Sequence, residues 1–140
     1  MARDRSWGYT NVLLYAVSRD PDEGSKAEIA TELLTSRDLG LSAQVLQEFY
    51  VQATLATRDD ALTHRQAADL VAAYSRFLVQ ETTLALVQVA IAARDRFGLS
   101  YWDAAVIEAA RMLRCEHILS EDLSDSQDYD GIAVINPFRA

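Results

Sequence analysis

Helical and strand-like patterns of apolar residues alternate along this chain. From Lys26 to Ser36 the residues Ala27, Ile29, Ala30, Leu33 and Leu34 recur at the spacing of one helix face, and Ala43 to Thr57 repeats it with Val45, Leu46, Phe49, Tyr50 and Ala53 inward. Thr63 caps a further helix, HRQAADLVAAYSRF, and Thr82 or Thr83 opens another that runs through Arg96 to a stop at Gly98. Ser100 caps the last helix, whose stripe Trp102, Ala105, Val106, Ala109, Ala110 and Leu113 is expected to be buried. Between these helices lie short strand candidates at Leu39–Ser42, Phe77–Glu81, His117–Leu119 and Ile132–Ile135, the last ended by Asn136 and Pro137. Asn11 to Val17 is a dense apolar run closed by the turn-rich SRDPDEGS. Strands alternating with helices predict an α/β fold with a mainly parallel sheet. There is no internal repeat and no low-complexity tract.

The stretch from Leu99 to Asp122 carries the first candidate chemistry. Asp103 sits in the first turn of the Ser100 helix, and Asp122 follows where the His117–Leu119 strand ends, the position at which open α/β sheets bind ligands. Glu48 supplies a third acid, within a polar stripe of Gln44, Glu48 and Gln52 at intervals of four. Each has an ordinary explanation: Asp103 as the far half of a capping box, Glu48 as a solvated helix face, Asp122 as a loop aspartate. Taken together, carboxylates from three separate elements repel one another unless a hard cation neutralises them, and Mg²⁺ or Mn²⁺ with oxygen ligands is the natural counter-ion.

Composition changes this picture in two ways. A chain of 140 residues, half of them hydrophobic, is read as one domain able to bury roughly two-thirds of its unfolded surface. Its net charge of -8 excludes a protein that grips nucleic acid through a broad positive face, though not a nuclease whose phosphate contacts run through metal ions and a few arginines. Lys26 is the single lysine, so the remaining basic residues are arginine, the better bidentate phosphate ligand.

Other chemistries fall away. The five glycines, Gly8, Gly24, Gly40, Gly98 and Gly131, are scattered and form no phosphate-binding loop. His64 and His117 lack zinc-ligand spacing and are expected at the surface or at a cap. The acidic loop of Asp122, Asp125, Asp128, Asp130 and Gly131 fails as a calcium loop because Pro137 stands where the bidentate glutamate belongs. Cys115, the only cysteine, forms no intramolecular disulfide and is expected to be buried. The N-terminal MARDRSWGYTN has no signal-peptide core, and the longest apolar runs are too short to span a bilayer, so a cytoplasmic protein is expected.

Five short motifs, in order, resemble the successive signatures of a PIN domain: Thr10 to Ala16 (TNVLLYA), Gln47 to Phe49 (QEF), Leu99 to Ala104 (LSYWDA), Ile118 to Leu123 (ILSEDL) and Val134 to Phe138 (VINPF). The chain is most similar to the VapC-like ribonuclease toxins of toxin–antitoxin pairs, over essentially its whole length from Thr10. The resemblance implies a three-layer fold with a parallel sheet flanked by helices, and a Mg²⁺ or Mn²⁺ site of acidic residues. It further implies endoribonuclease activity, a homodimer and inhibition by a small antitoxin. Glu48, Asp103 and Asp122 match the family's acidic positions, as catalytic and metal-binding residues. Ser120 matches its small hydroxyl residue before the last acid, and Asn11 is a supporting residue.

One position departs. The family's apolar first strand runs into Asp-Thr-Asn, whereas here Tyr9, Thr10 and Asn11 follow the charged Arg3-Asp4-Arg5, so Tyr9 takes the place of the first metal-binding aspartate. A phenol is a poor ligand for a hard cation at neutral pH. Asp4, five residues earlier, cannot replace it without a change of register. Residues 1–9 are thus an atypical segment, and their charges suit a strand buried on both faces poorly. The alternatives for the whole chain are a weakened or inactive PIN module that still dimerises and binds an antitoxin, or an unrelated α/β binding protein whose acids are caps and solvated side chains.

Overall fold

A computed structural model describes residues 5–36, 38–123 and 127–139; Arg3, Asp4 and Asp125 lie outside these ranges. Five parallel strands form one sheet in the order β3-β2-β1-β4-β5: β1 Ser6–Gly8, β2 Leu39–Ser42, β3 Leu78–Gln80, β4 His117–Leu119 and β5 Ala133–Ile135. Among the described residues six α-helices accompany it: α1 Thr10–Ala16, α2 Gly24–Ser36, α3 Ala43–Ala53, α4 His64–Tyr74, α5 Leu84–Phe97 and α6 Tyr101–Met112. The alternation of periods therefore reports the class correctly. Its element ends need trimming: α3 stops at Ala53 rather than Thr57, α4 at Tyr74 rather than Phe77, and Thr83 rather than Thr82 caps α5.

The expectation that Arg3 to Tyr9 suits a buried strand poorly is corrected. Within it Ser6–Gly8 forms β1, the central strand, and all three residues are buried. Arg5 stays at the entry edge, where its guanidinium donates to the carboxylate of Asp38 at 3.3 Å and to the carbonyl of Leu113 at 2.6 Å. The charge of Arg5 is thus satisfied outside the strand.

Two glycines are dictated by geometry. A side chain at Gly40 would bring its Cβ within 2.8 Å of Leu113 Cδ1 and 3.1 Å of Cys115 Sγ, so glycine lets β2 pass close to the end of α6. Gly98 adopts φ 68° at the end of α5, the left-handed conformation that closes a helix.

The core lies on α6, where residues 104–110 are all buried, and on the inward faces of α1 and α3 with Leu13, Val45 and Phe49. The predicted stripe of α6 holds from Ala105 onward and fails at Trp102, which is 64% exposed. The first turn carries this ring out of the core, where it meets Tyr101 edge to face at 5.0 Å. His64 opens α4, its Nδ1 paired with the Tyr50 hydroxyl at 2.7 Å, and His117 opens β4.

Cys115 is buried as expected, and burial pushes its thiol up to about 12. Measured against an unfolded thiol near 8.5, this lowers the reactive thiolate fraction by about three orders of magnitude. In native protein at mildly alkaline pH, Cys115 should react with a disulfide dye only as fast as the protein opens, and immediately in concentrated guanidinium. Prompt labelling of folded protein would contradict the burial.

Candidate active site

The carboxyl end of the central strand turns directly into α1, and three consecutive residues at this turn each reach a different acid. The Tyr9 hydroxyl donates to Asp103 Oδ1 at 2.8 Å, Thr10 Oγ1 donates to Glu48 Oε2 at 2.9 Å, and Asn11 Nδ2 donates to Asp122 Oδ2 at 3.3 Å. The backbone N–H of Tyr9 also donates to the Leu119 carbonyl at 3.3 Å, which ties this turn to the end of β4. A segment of three residues thus gathers side chains from α3, α6 and the loop after β4.

Local chemistry fixes each acid. Ser42 caps α3 by accepting from the Val45 N–H, and α3 then presents Glu48, whose second oxygen accepts from Gln44 Nε2 at 2.9 Å. The polar stripe of Gln44 and Glu48 is therefore a bonded pair turned to Thr10 and not merely a solvated face. Ser100 Oγ accepts from the Asp103 N–H at 3.1 Å and sets the start of α6, while the Asp103 carboxylate turns to Tyr9. Ser120 is fully buried, and its hydroxyl accepts from the backbone N–H groups of Asp122 and Leu123 at 3.0 and 3.3 Å, shaping the loop that offers the exposed Asp122.

The electrostatics agree with this gathering. Burial holds the Tyr9 phenol well above its ordinary range, helped by the hydrogen bond to Asp103 and by the negative charges of Asp103, Glu48 and Asp122. One hydroxyl therefore feels all three acids and stays protonated at any working pH.

Sequence reasoning missed Thr10 and Gln44 as partners of Glu48, and also the neighbouring cluster of Tyr15, Lys26 and Glu121. There the Tyr15 hydroxyl and the ammonium of Lys26 both donate to the Glu121 carboxylate, the latter at 3.0 Å. Burial alone would raise the Glu121 carboxyl; these two bonds and the Lys26 charge outweigh it and hold it below its usual range. Glu121 is thereby turned away from Asp122, its neighbour in the chain. Its spacing from Lys26 carries no local signal, although a lone lysine in an arginine-rich chain marked that residue.

Glu48, Asp103, Asp122 and the amide oxygen of Asn11 offer only oxygen, the donor set suited to Mg²⁺ or Mn²⁺. Asn11 Oδ1 is buried and has no hydrogen-bond partner, leaving an acceptor beside Asp122 still to be satisfied. These residues fit a hard cation in kind. They fall short in number, since the fourth position carries a phenol, and among the described residues no three of His, Cys, Asp and Glu stand close enough to grip one ion together.

The fold has relatives among solved structures. A toxin–antitoxin complex from Klebsiella pneumoniae superposes with TM-score 0.69 at 20% identity, over 96% of this chain and 99% of that one. VapBC2 from Rickettsia felis, bound to a fragment of promoter DNA, does so with TM-score 0.62 at 15% identity, over 93% and 96%. VapC20 of Mycobacterium tuberculosis, a toxin that cleaves the sarcin–ricin loop, gives 0.60 at 19% identity, over 84% and 91%. At these identities the likeness is one of fold. Among curated proteins no sequence matches. The PIN domain family model matches residues 10–126, a range that holds Glu48, Asp103 and Asp122, and the chain belongs to the PIN domain family.

Proposed function

We propose that this chain is the toxin of a toxin–antitoxin pair, an endoribonuclease that hydrolyses RNA phosphodiesters with the help of Mg²⁺ or Mn²⁺. What supports it most is the turn at Tyr9, Thr10 and Asn11, which directs one side chain to each of three acids from three elements. Glu48, Asp103 and Asp122, which do not stand close enough to grip one ion as they are, would have to draw together around the cation, which when bound activates a water and screens the phosphate charge. The protein's own residues orient the set: Thr10 and Gln44 hold the two oxygens of Glu48, Asn11 steers Asp122, and Ser120 fixes the loop beneath it. Such an arrangement lets a chain of net charge -8 act on an anionic polymer without a basic surface.

Partners follow from what the helices leave uncovered. Val51 on α3, Leu55 just beyond its end, and Leu84, Val89 and Ile91 on α5 are exposed apolar side chains. They support a homodimer and a small antitoxin with an amphipathic segment, and a solved structure of similar fold is itself a toxin–antitoxin complex. No helix among the described residues is long and apolar enough to cross a membrane, and we place the protein in the cytoplasm.

The alternative, a weakened or inactive PIN module that dimerises and binds its antitoxin, is favoured by one specific observation, the phenol of Tyr9 on Asp103. Incubation of single-stranded RNA with the purified protein in Mn²⁺ or Mg²⁺ separates the two. Cleavage that EDTA abolishes is expected for the nuclease. Intact RNA in both metals, from folded protein that still binds an antitoxin, would establish the inactive module.

A further inference from the structure

We infer that the indole of Trp102 is a stacking platform for an unpaired base of RNA at the rim of the acidic edge. This rests on the ribonuclease reading above and adds to it the form of the substrate, a single strand held by a base, with no cation needed for that contact. Trp102 stands in the first turn of α6 and is 64% exposed, whereas Trp7, the other tryptophan of the chain, is wholly buried. Tyr101 meets the indole edge to face at 5.0 Å, with the ring planes 78° apart. Whichever ring offers its edge, at least one broad face of the indole stays open. A tryptophan contributes most when its face is covered, and the core of this protein does not cover it.

Position and charge select the occupant. Trp102 precedes Asp103, the acid bonded to Tyr9, and successive helical residues point roughly 100° apart, so the indole stands beside the acids without entering among them. The N–H of Leu99 donates to the Arg94 carbonyl at 3.3 Å, which brings the exposed Arg94, in the last turn of α5, to the same corner. The exposed apolar residues of α5, Leu84, Val89 and Ile91, lie six or more residues before its end at Phe97, roughly 9 Å or more along the helix. The indole therefore stands apart from that apolar face and shares its corner with Ser100, Asp103 and Arg94, surroundings that suit a base better than a protein. A chain of net charge -8 offers little to phosphates, and stacking is the contact that needs no positive surface, because every base has an uncharged face. Bases within a duplex are already stacked, so the platform selects single strands, and among these the purines, whose faces are larger.

The test titrates the full chain with fluorescein-labelled oligoadenylate, oligouridylate and an RNA duplex at low salt, in EDTA to prevent metal-dependent cleavage, and reads anisotropy. The parent should bind oligoadenylate most tightly and the duplex most weakly. Unlabelled oligoadenylate should also quench the indole emission, and because Trp7 is wholly buried this quenching reports Trp102. Trp102→Leu keeps an apolar side chain and loses the aromatic face, so it should bind oligoadenylate about tenfold more weakly, within the usual worth of one stacked base. Trp102→Tyr should recover most of that loss. Equal affinity of the parent and Trp102→Leu overturns the platform, and so does RNA binding without quenching. Unchanged RNA affinity in Trp102→Leu together with altered sedimentation would assign the indole to a contact between copies of the chain instead. Should Trp102→Leu not fold, the quenching in the parent decides. RNA cleaved in Mn²⁺ by parent and Trp102→Leu with equal affinities removes the platform and leaves the ribonuclease. A parent that binds no single strand in EDTA overturns the platform, and if it also cuts no RNA in Mn²⁺ or Mg²⁺ the ribonuclease reading falls with it.

Discussion

Phe49→Ala is expected to destabilise the protein by about 3–5 kcal/mol, the usual range for deleting a fully buried phenylalanine and leaving a cavity. Phe49 is completely buried, in the same core cluster as Trp7 and Leu13, and meets Tyr74 edge to face with ring centroids 5.3 Å apart. It joins α3 to α4 on one side of the sheet and stands next to Glu48, so its loss disturbs both the fold and the helix that presents one of the acids. Against a total stability of about 5–15 kcal/mol for a domain of this kind, such a loss removes about a fifth of the margin or more. Urea unfolding followed by circular dichroism measures it. Val51→Ala, on the same helix but 53% exposed, serves as the control and should change stability by no more than about 0.5 kcal/mol. If the two variants unfold at the same urea concentration, the packing of α3 is not as described.

The contrast between these two residues shows what could be read from the chain and what could not. Periodicity placed Phe49 inward and Gln52 outward because a helix face repeats every three to four residues, and the same logic found all six helix regions save α1. The run from Asn11 gave an apolar signal without a period long enough to distinguish strand from helix; the structure makes it the seven-residue helix α1. Periodicity misplaced Trp102 because a stripe says which face is apolar, and not how far along the helix its packing partner extends. The strand at Ser6–Gly8 was concealed by its charged neighbours, of which Arg5 is satisfied at the sheet edge by Asp38.

The site was legible only as separate pieces. Glu48, Asp103 and Asp122 each fitted an ordinary role, and spacing alone could not show that Tyr9, Thr10 and Asn11 would meet them one by one. Those contacts join residues 94, 38 and 111 positions apart. The capping-box explanation of Asp103 was half right, since Ser100 does cap α6 through the Asp103 N–H, but the carboxylate faces Tyr9. The pairing of Glu121 with Lys26 spans 95 positions and likewise left no trace in the local pattern.

Asp103→Asn should separate a functional acid from a structural one. The amide oxygen can still accept from the Tyr9 hydroxyl, and the backbone N–H that donates to Ser100 is untouched, so the geometry of the site is preserved. The fold should change by less than about 1 kcal/mol, because the lost favourable charge in the first turn of α6 is offset by relief of repulsion from Glu48 and Asp122. RNA cleavage should nevertheless fall by about two orders of magnitude or more, since charge stabilisation at a metal site contributes several kcal/mol and each 1.36 kcal/mol is a factor of ten. The measurement is a fluorogenic RNA assay at fixed Mn²⁺, on parent and variant whose melting curves coincide. If Asp103→Asn cuts RNA at the parent's rate, or melts well below it, then Asp103 serves the start of α6 and not the chemistry, and the cleavage must be carried by other residues of this edge.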